Sequence, residues 1–171
     1  MAKYVDQERY RIQLPYTSWP NKNTITIDGD VLHEISTSEP LKYRKAVQKL
    51  GNYFRREFQS DFPLYHASDT DNSNVVFMWI GEDYKNDIKS VGYGVCVFDH
   101  VVTCQNNTDK SCKEDKHWVL MWAWFHPYER RRGHLSKALS YFQKRFGKFD
   151  IQHPVSEEMN NFLDKHSITV P

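Results

Sequence analysis

Eight consecutive apolar residues run from Trp118 to Phe125, and His126-Pro127 stops them. Apolar side chains stand at both parities, so both faces of an extended segment here are covered, as in a central strand. Proline cannot donate to a ladder and ends the strand. Just beyond comes a glycine-bearing turn, Tyr128 to Gly133. Leu135, Ala138, Leu139, Phe142 and Phe146 then recur at helical spacing up to Gly147, a natural C-cap. A buried strand, a tight turn and an amphipathic helix in that order belong to an α/β protein.

The other segments supply the remaining elements. Thr24 to Ile27, the Asp28-Gly29 turn and Asp30 to Ile35 read as a β-hairpin. Ser36 with Glu39, or Ser38 before Glu39-Pro40, signals a helix start. Behind it Tyr43, Ala46, Val47, Leu50, Phe54 and Phe58 give a helix of about five turns, with Gly51 as a possible break. Val75 to Ile80 and Ser90 to Phe98 read as two strands before Trp118 to Phe125, the last following a hydrophilic loop from Thr103 to Lys116. Trp118, Trp122 and Trp124 share one face of that strand, as core or as the wall of an acceptor groove. Phe149 to Gln152 is a short strand, and Ser156 caps a final helix whose inner face is Met159, Phe162, Leu163 and His166. The first twenty residues read as an irregular aromatic arm. The expectation is one domain over 1–171, with the arm and hairpin in 1–36 and an α/β core in 37–171.

Composition excludes several classes. Lys plus Arg is 23 against 22 Asp plus Glu, and a net charge of +1 excludes a globally basic nucleic-acid binder or an acidic tail. Aromatic residues at 15% can build a core, which excludes intrinsic disorder. No apolar run reaches the roughly 18–20 residues of a membrane span. The charged start, Met1 to Arg9, has no apolar signal core, so a cytoplasmic protein is expected. Cys96 reads as buried. The spacing of Cys104 and Cys112 suits a disulfide or two metal ligands, but no C-x-x-C exists, and reduced thiols with no metal site are expected. Asn106-Asn107-Thr108 reads as a polar loop.

Between Glu129 and Lys148 stand seven Lys/Arg and one acidic residue. Those cations are open to three readings: a solvated face, a nucleic-acid contact, or an anion site. Arg130, Arg131 and Arg132 fall in the strand-to-helix turn, which favours the anion site. The first turn of a helix leaves N–H groups unpaired and carries the positive end of its dipole, which suits a polyphosphate.

The motif residues here resemble a known family. Phe125, Pro127, Arg130, Gly133 and Leu135 fall in the V-x-P-x-x-R-x-x-G-x-G/A pattern of the GCN5-related N-acetyltransferases (GNAT). Val91-Gly92-Tyr93 is similar to the family's V-G-Y/F. Ser156 to Ile168 resembles its N-x-x-A-x-x-x-Y-x-K-x-G-F helix, with Lys165 and Ile168 in step. The resemblance spans about two thirds of the chain and implies a mixed, mostly antiparallel sheet flanked by helices. Two parallel strands in it splay apart, and the C-terminus is shortened.

The resemblance also implies acetyl-CoA as co-substrate and an amine acceptor, protein or small molecule. Backbone groups of Ala123, Trp124 and Phe125 would pair with the pantetheine arm. The pyrophosphate would lie on the amides of Arg131, Arg132, Gly133, His134, Leu135 and Ser136, with Arg130 adding charge. The chain departs from the pattern at three places. Leu135 replaces a small residue, Leu163 replaces the Tyr that protonates the leaving thiolate, and Ser156 replaces Asn. Ser156 and His153 are the candidates for the missing acid and base, and His126 is a third. The family core continues into two more strands, whereas this chain stops at Pro171. That leaves the acceptor wall to the hairpin, a second copy in a homodimer, or the acceptor itself. A non-catalytic binding or inhibitor protein on the same scaffold is the alternative.

Overall fold

The computed structural model describes residues 23–60, 65–69, 74–83, 89–104, 114–153 and 155–168, and the backbone of a two-residue strand at 12–13. The rest of the aromatic arm and Cys112 lie outside them, as does the Cys104 side chain. In chain order the elements are β1 (Ile12–Gln13), β2 (Thr24–Ile27), β3 (Asp30–Ile35), α1 (Leu41–Phe58), β4 (Val75–Asp83), β5 (Lys89–Cys104) and β6 (Glu114–Phe125). A 3₁₀ turn (Pro127–Glu129) leads to α2 (His134–Phe146), β7 (Phe149–Ile151) and α3 (Glu157–Lys165).

The expected hairpin forms, with Asp28 and Gly29 both at positive φ, as a two-residue turn matched to strand twist requires. Helix α1 runs through Gly51 unbroken, and its N-cap is Pro40, so neither Ser36 nor Ser38 caps it. Gln59 ends it in the left-handed conformation. Gly147 ends α2 as expected. The Ser156 side chain accepts the Met159 N–H to cap α3. Strands β5 and β6 extend well past the expected bounds, into both ends of the hydrophilic stretch, because long antiparallel pairing carries polar residues with it.

The strands form one sheet in the order β2-β3-β4-β5-β6-β7, with β1 beside the start of β5. All pairs are antiparallel except β6 with β7. Alternation along each strand divides the core. Val76, Met78, Val95, Val97, Trp122 and Trp124 face α1, where Tyr43, Val47, Leu50 and Tyr53 cover them. Phe77, Trp79, Phe98 and Leu120 face α2, against Leu139, Phe142 and Phe146. Each such aromatic or aliphatic side chain contributes about 1.5–3 kcal/mol by leaving water.

The three tryptophans do not share a face. The β5–β6 register shifts at Val97/Phe98, so Trp122 pairs with Val97 and Leu120 with Phe98. This bulge flips the parity of everything before Met121. Trp118 therefore packs on Phe146 on the α2 side, while Trp122 and Trp124 lie under α1.

Pairing of β6 with β7 covers only Trp118 to Leu120 against Phe149 to Ile151, closed by the Gln152 N–H donating to the Leu120 carbonyl at 3.0 Å. Strand β6 continues to Phe125 without a β7 partner. The two parallel strands part there.

Candidate active site

The gap is polar on its β6 side. The His126 N–H donates to the Tyr93 carbonyl at 2.8 Å. Residues 124 and 122 pair with 95 and 97 in the same register, so their backbone groups face β5. By ladder alternation the N–H and C=O of Ala123 and Phe125 face the gap instead. Trp124 thus contributes its side chain rather than its backbone. One of these groups is occupied: Arg130 Nε donates to the Phe125 carbonyl at 3.0 Å.

Arg130 also grips Glu57 at the end of α1, Nη1 to Oε1 at 2.5 Å and Nη2 to Oε2 at 2.6 Å. Trp124 Nε1 donates to the same carboxylate at 2.9 Å, and the guanidinium lies 5.7 Å from the Trp124 ring centroid. Arg130 borders a cavity at the α2 turn, but its guanidinium is engaged in pinning α1 to the tip of β6. Burial pushes the Glu57 pKa up, yet the hydrogen bonds from Arg130 and Trp124, with the Arg130 charge, hold it below the usual value of 4.5. A carboxyl depressed in the folded state stabilises above its unfolded pKa, and that contribution vanishes as pH falls through the folded value. Because Glu57 is about a third exposed, Glu57→Gln costs about 1 kcal/mol at pH 7. The variant also melts with a shallower acid dependence than wild type between pH 5 and 3. Parallel melting-temperature curves for the two proteins would contradict the clamp.

Past the 3₁₀ turn, Arg131 (φ 61°) and Gly133 (φ 80°) curl the chain into α2. A left-handed arginine is strained by about 1–2 kcal/mol, a local cost that this turn retains. No side chain caps the N-terminus of α2, and a Cβ at Gly133 would meet nothing within 4 Å. The amides of His134, Leu135 and Ser136 therefore have no intrahelical partner and face an open turn.

His134 points the other way. Its ring is buried, stacked on Phe125, with Nδ1 2.7 Å from Asp30 Oδ2 and Nε2 3.3 Å from Glu129 Oε2. Lys137 reaches Asp30 at 3.2 Å. Through this network the hairpin holds the base of α2. Tyr93 lies against His134, and burial together with the charges of Asp30 and Glu129 pushes its phenol pKa well up. Ser136 Oγ lies 2.8 Å from His166 Nε2, which ties α2 to the end of α3.

Two cavities flank the gap. The first, about 390 Å³, contains the α2 turn and the tip of β6, with Arg131 and Leu135 on one side and Asn161 and Lys165 of α3 on the other. The second, about 580 Å³, lies beside α1 and includes Phe54, Trp122 and Gln152. Phe58, Ala123, Ser156 and Met159 border both. Leu135 lines the first cavity and packs against the α2-side core. Ser156 stands at the junction, its oxygen accepting the Met159 N–H at 3.2 Å and its hydroxyl proton available to a second partner.

His153 is not brought to the site. It is exposed beyond β7 and lines neither cavity, because the chain turns outward after the last β6–β7 bond. Arg132 is exposed and pairs with Glu129 at 3.2 Å, outside both cavities. Four of the seven cations between Glu129 and Lys148 bridge carboxylates: Arg130, Arg132, Lys137 and Arg145. That leaves Arg131 as the turn's cation at the cavity. Glu57, Asp30, Glu129 and the α3 residues Asn161 and Lys165 were not assigned from sequence as site neighbours. Glu57 and Asp30 meet the turn from 73 and 104 positions away, too far for local spacing to signal, whereas Glu129 reaches His134 from only five.

A mixed sheet with two parallel strands parting beside an uncapped helix N-terminus is the fold of the GNAT acetyltransferases. The xEco2 acetyltransferase domain, in a structure with a K105-CoA conjugate, superposes at TM-score 0.57 and 10% identity, over 86% of this chain and 94% of that one. A second structure of that domain gives 0.57 and 10%, over 88% and 94%. An acetyltransferase from Vibrio fischeri overlaps less, at 0.43 and 11%, over 70% and 93%. No protein-family sequence profile and no curated protein sequence matches the chain.

Proposed function

We propose that this chain is an acyl-CoA-dependent N-acyltransferase that moves an acetyl group from acetyl-CoA to an amine by direct attack on the thioester. The observation that carries the reading is the gap between β6 and β7, which joins a cavity floored by bare helix amides to a second one across the sheet. Pantetheine pairs strand-fashion with the inward groups of Ala123 and the Phe125 N–H. The pyrophosphate rests on the amides of His134, Leu135 and Ser136, with Arg131 and Lys165 supplying charge. The xEco2 acetyltransferase domain, similar in fold, was solved with a K105-CoA conjugate, which supports a CoA-type co-substrate for this chain.

The thioester then lies beside Ser156. A neutral amine entering from the second cavity attacks the carbonyl carbon, and backbone N–H groups in the gap polarise the oxygen. The C–S bond breaks as the C–N bond forms. The proton released by the amine ends on the thiolate, so the reaction is balanced without a further reactant. While its oxygen caps α3, the Ser156 hydroxyl donates to the departing sulfur.

Calorimetry with acetyl-CoA tests the reading. One site is expected, and at about 100 times Kd the ligand adds about 2.7 kcal/mol of stability, or a melting shift of about 5–10 °C. No heat and no shift at millimolar ligand would refute it. Binding with no thiol release from any amine would favour the non-catalytic alternative.

Ser156→Ala is expected to lower kcat about 10–100-fold and stability by about 1 kcal/mol. Ser156→Asp keeps the cap and the stability but loses the donor, so its kcat falls at least as far. Thiol release and thermal melts separate the roles, and normal turnover by Ser156→Asp would reduce Ser156 to a cap.

A further inference from the structure

We propose that the acceptor is a primary amine carried on an aromatic or branched aliphatic body, which fills the second cavity. The inference rests on the acyltransferase reading above. The walls are apolar and come from three elements: Phe54 and Phe58 on α1, Met121 and Trp122 on β6, and Val155 and Met159 around the start of α3. The polar groups on its lining are uncharged: Gln59, Ser60, Gln152 and Ser156. No charged side chain is among its described lining residues. The first cavity differs, with Glu129, Arg131, Glu158 and Lys165 on its walls.

Chemistry follows from that contrast. A polycationic amine entering the second cavity would shed its hydration with no carboxylate to replace it, a cost of several kcal/mol per charge. A single amine on an apolar body loses only one charge, by releasing its proton. Desolvation disfavours an ammonium, so the cavity itself delivers the neutral nucleophile that attack requires. That accounts for a junction at which none of the four residues bordering both cavities, Phe58, Ala123, Ser156 and Met159, is a carboxylate. At about 580 Å³ the space is of the size that buries most of a small ligand, and its junction with the cofactor cavity at Ser156 sets where the amine nitrogen must lie. A free amine and the first residue of a peptide offer the same chemistry.

The experiment uses the whole chain. Acetyl-CoA binding is measured first by calorimetry, then thiol release with 2-phenylethylamine, with the tripeptide amide Phe-Ala-Ala and with spermidine. One of the two apolar amines is expected to exceed spermidine in kcat/KM about tenfold or more, and the better one identifies the source. In Val155→Glu, which alters the second cavity alone, that preference falls about tenfold while acetyl-CoA affinity stays within about twofold. If acetyl-CoA binds but spermidine is used as well or better, or no apolar amine is acetylated, this inference fails and the cofactor site stands. If octanoyl-CoA binds about tenfold tighter than acetyl-CoA, the cavity holds the acyl chain instead, which also overturns it. If no acyl-CoA binds, both readings fall together.

Discussion

Gly133→Glu lowers the affinity for acetyl-CoA about 100-fold or more, equivalent to about 2.7 kcal/mol, while the protein still folds. Gly133 holds φ 80° at the N-cap of α2, and the space around its missing Cβ is open. The substitution therefore costs about 1–2 kcal/mol of backbone strain and causes no collision. Electrostatics dominates. A carboxylate at a helix N-terminus competes for the amides a pyrophosphate needs and repels the phosphates besides. Gly133→Ala carries the same φ cost without the charge, and its affinity falls less than tenfold. Calorimetry and thermal melts of both variants decide the point. If Gly133→Glu binds acetyl-CoA like wild type, the diphosphate does not dock on this turn.

Gly94→Ala destabilises the protein by about 2 kcal/mol, and Gly94→Val by more, although propensity alone predicts a gain of up to about 1 kcal/mol for replacing glycine inside a strand. A Cβ at Gly94 would approach two ring carbons of Phe125, at 2.4 and 2.6 Å. That ring cannot swing aside, because Trp79 packs on it at 4.8 Å and His134 stacks on it at 5.7 Å between centroids. Relief must come from moving the tip of β6, which carries the backbone groups proposed to hold pantetheine. The melting temperature falls about 4–8 °C for the alanine variant, and acetyl-CoA affinity falls with it. An alanine variant as stable as wild type would mean that the Phe125 ring is free to relocate.

The features that could be read in the chain were those with short-range causes. Alternation, helical spacing and the Asp28-Gly29 turn located the hairpin, α1, α2 and the cap at Ser156. The both-parity run before Pro127 marked the central strand that carries the site. The long-range pairs were not legible. Arg130 belongs to a binding motif by spacing, yet its guanidinium closes on Glu57, 73 positions away. His134 sits in the same motif and turns inward to Asp30, 104 positions away. His153 looked like a group at the mouth of the gap, and the turn after β7 carries it outside. The bulge at Met121, which separates Trp118 from Trp122 and Trp124, leaves no mark in a run where every residue is apolar.

From its residues alone, this chain specified a strand that must be buried on both faces, a proline that ends it and a glycine that opens the next helix with its amides bare. These follow from backbone sterics and periodicity, which act over a few residues. Where the parallel strands separate, which cations remain for a ligand, and how a charged cavity meets an uncharged one were settled only by tertiary packing. Register and ion pairing between distant segments depend on which surfaces come together, and local preference carries no information about that.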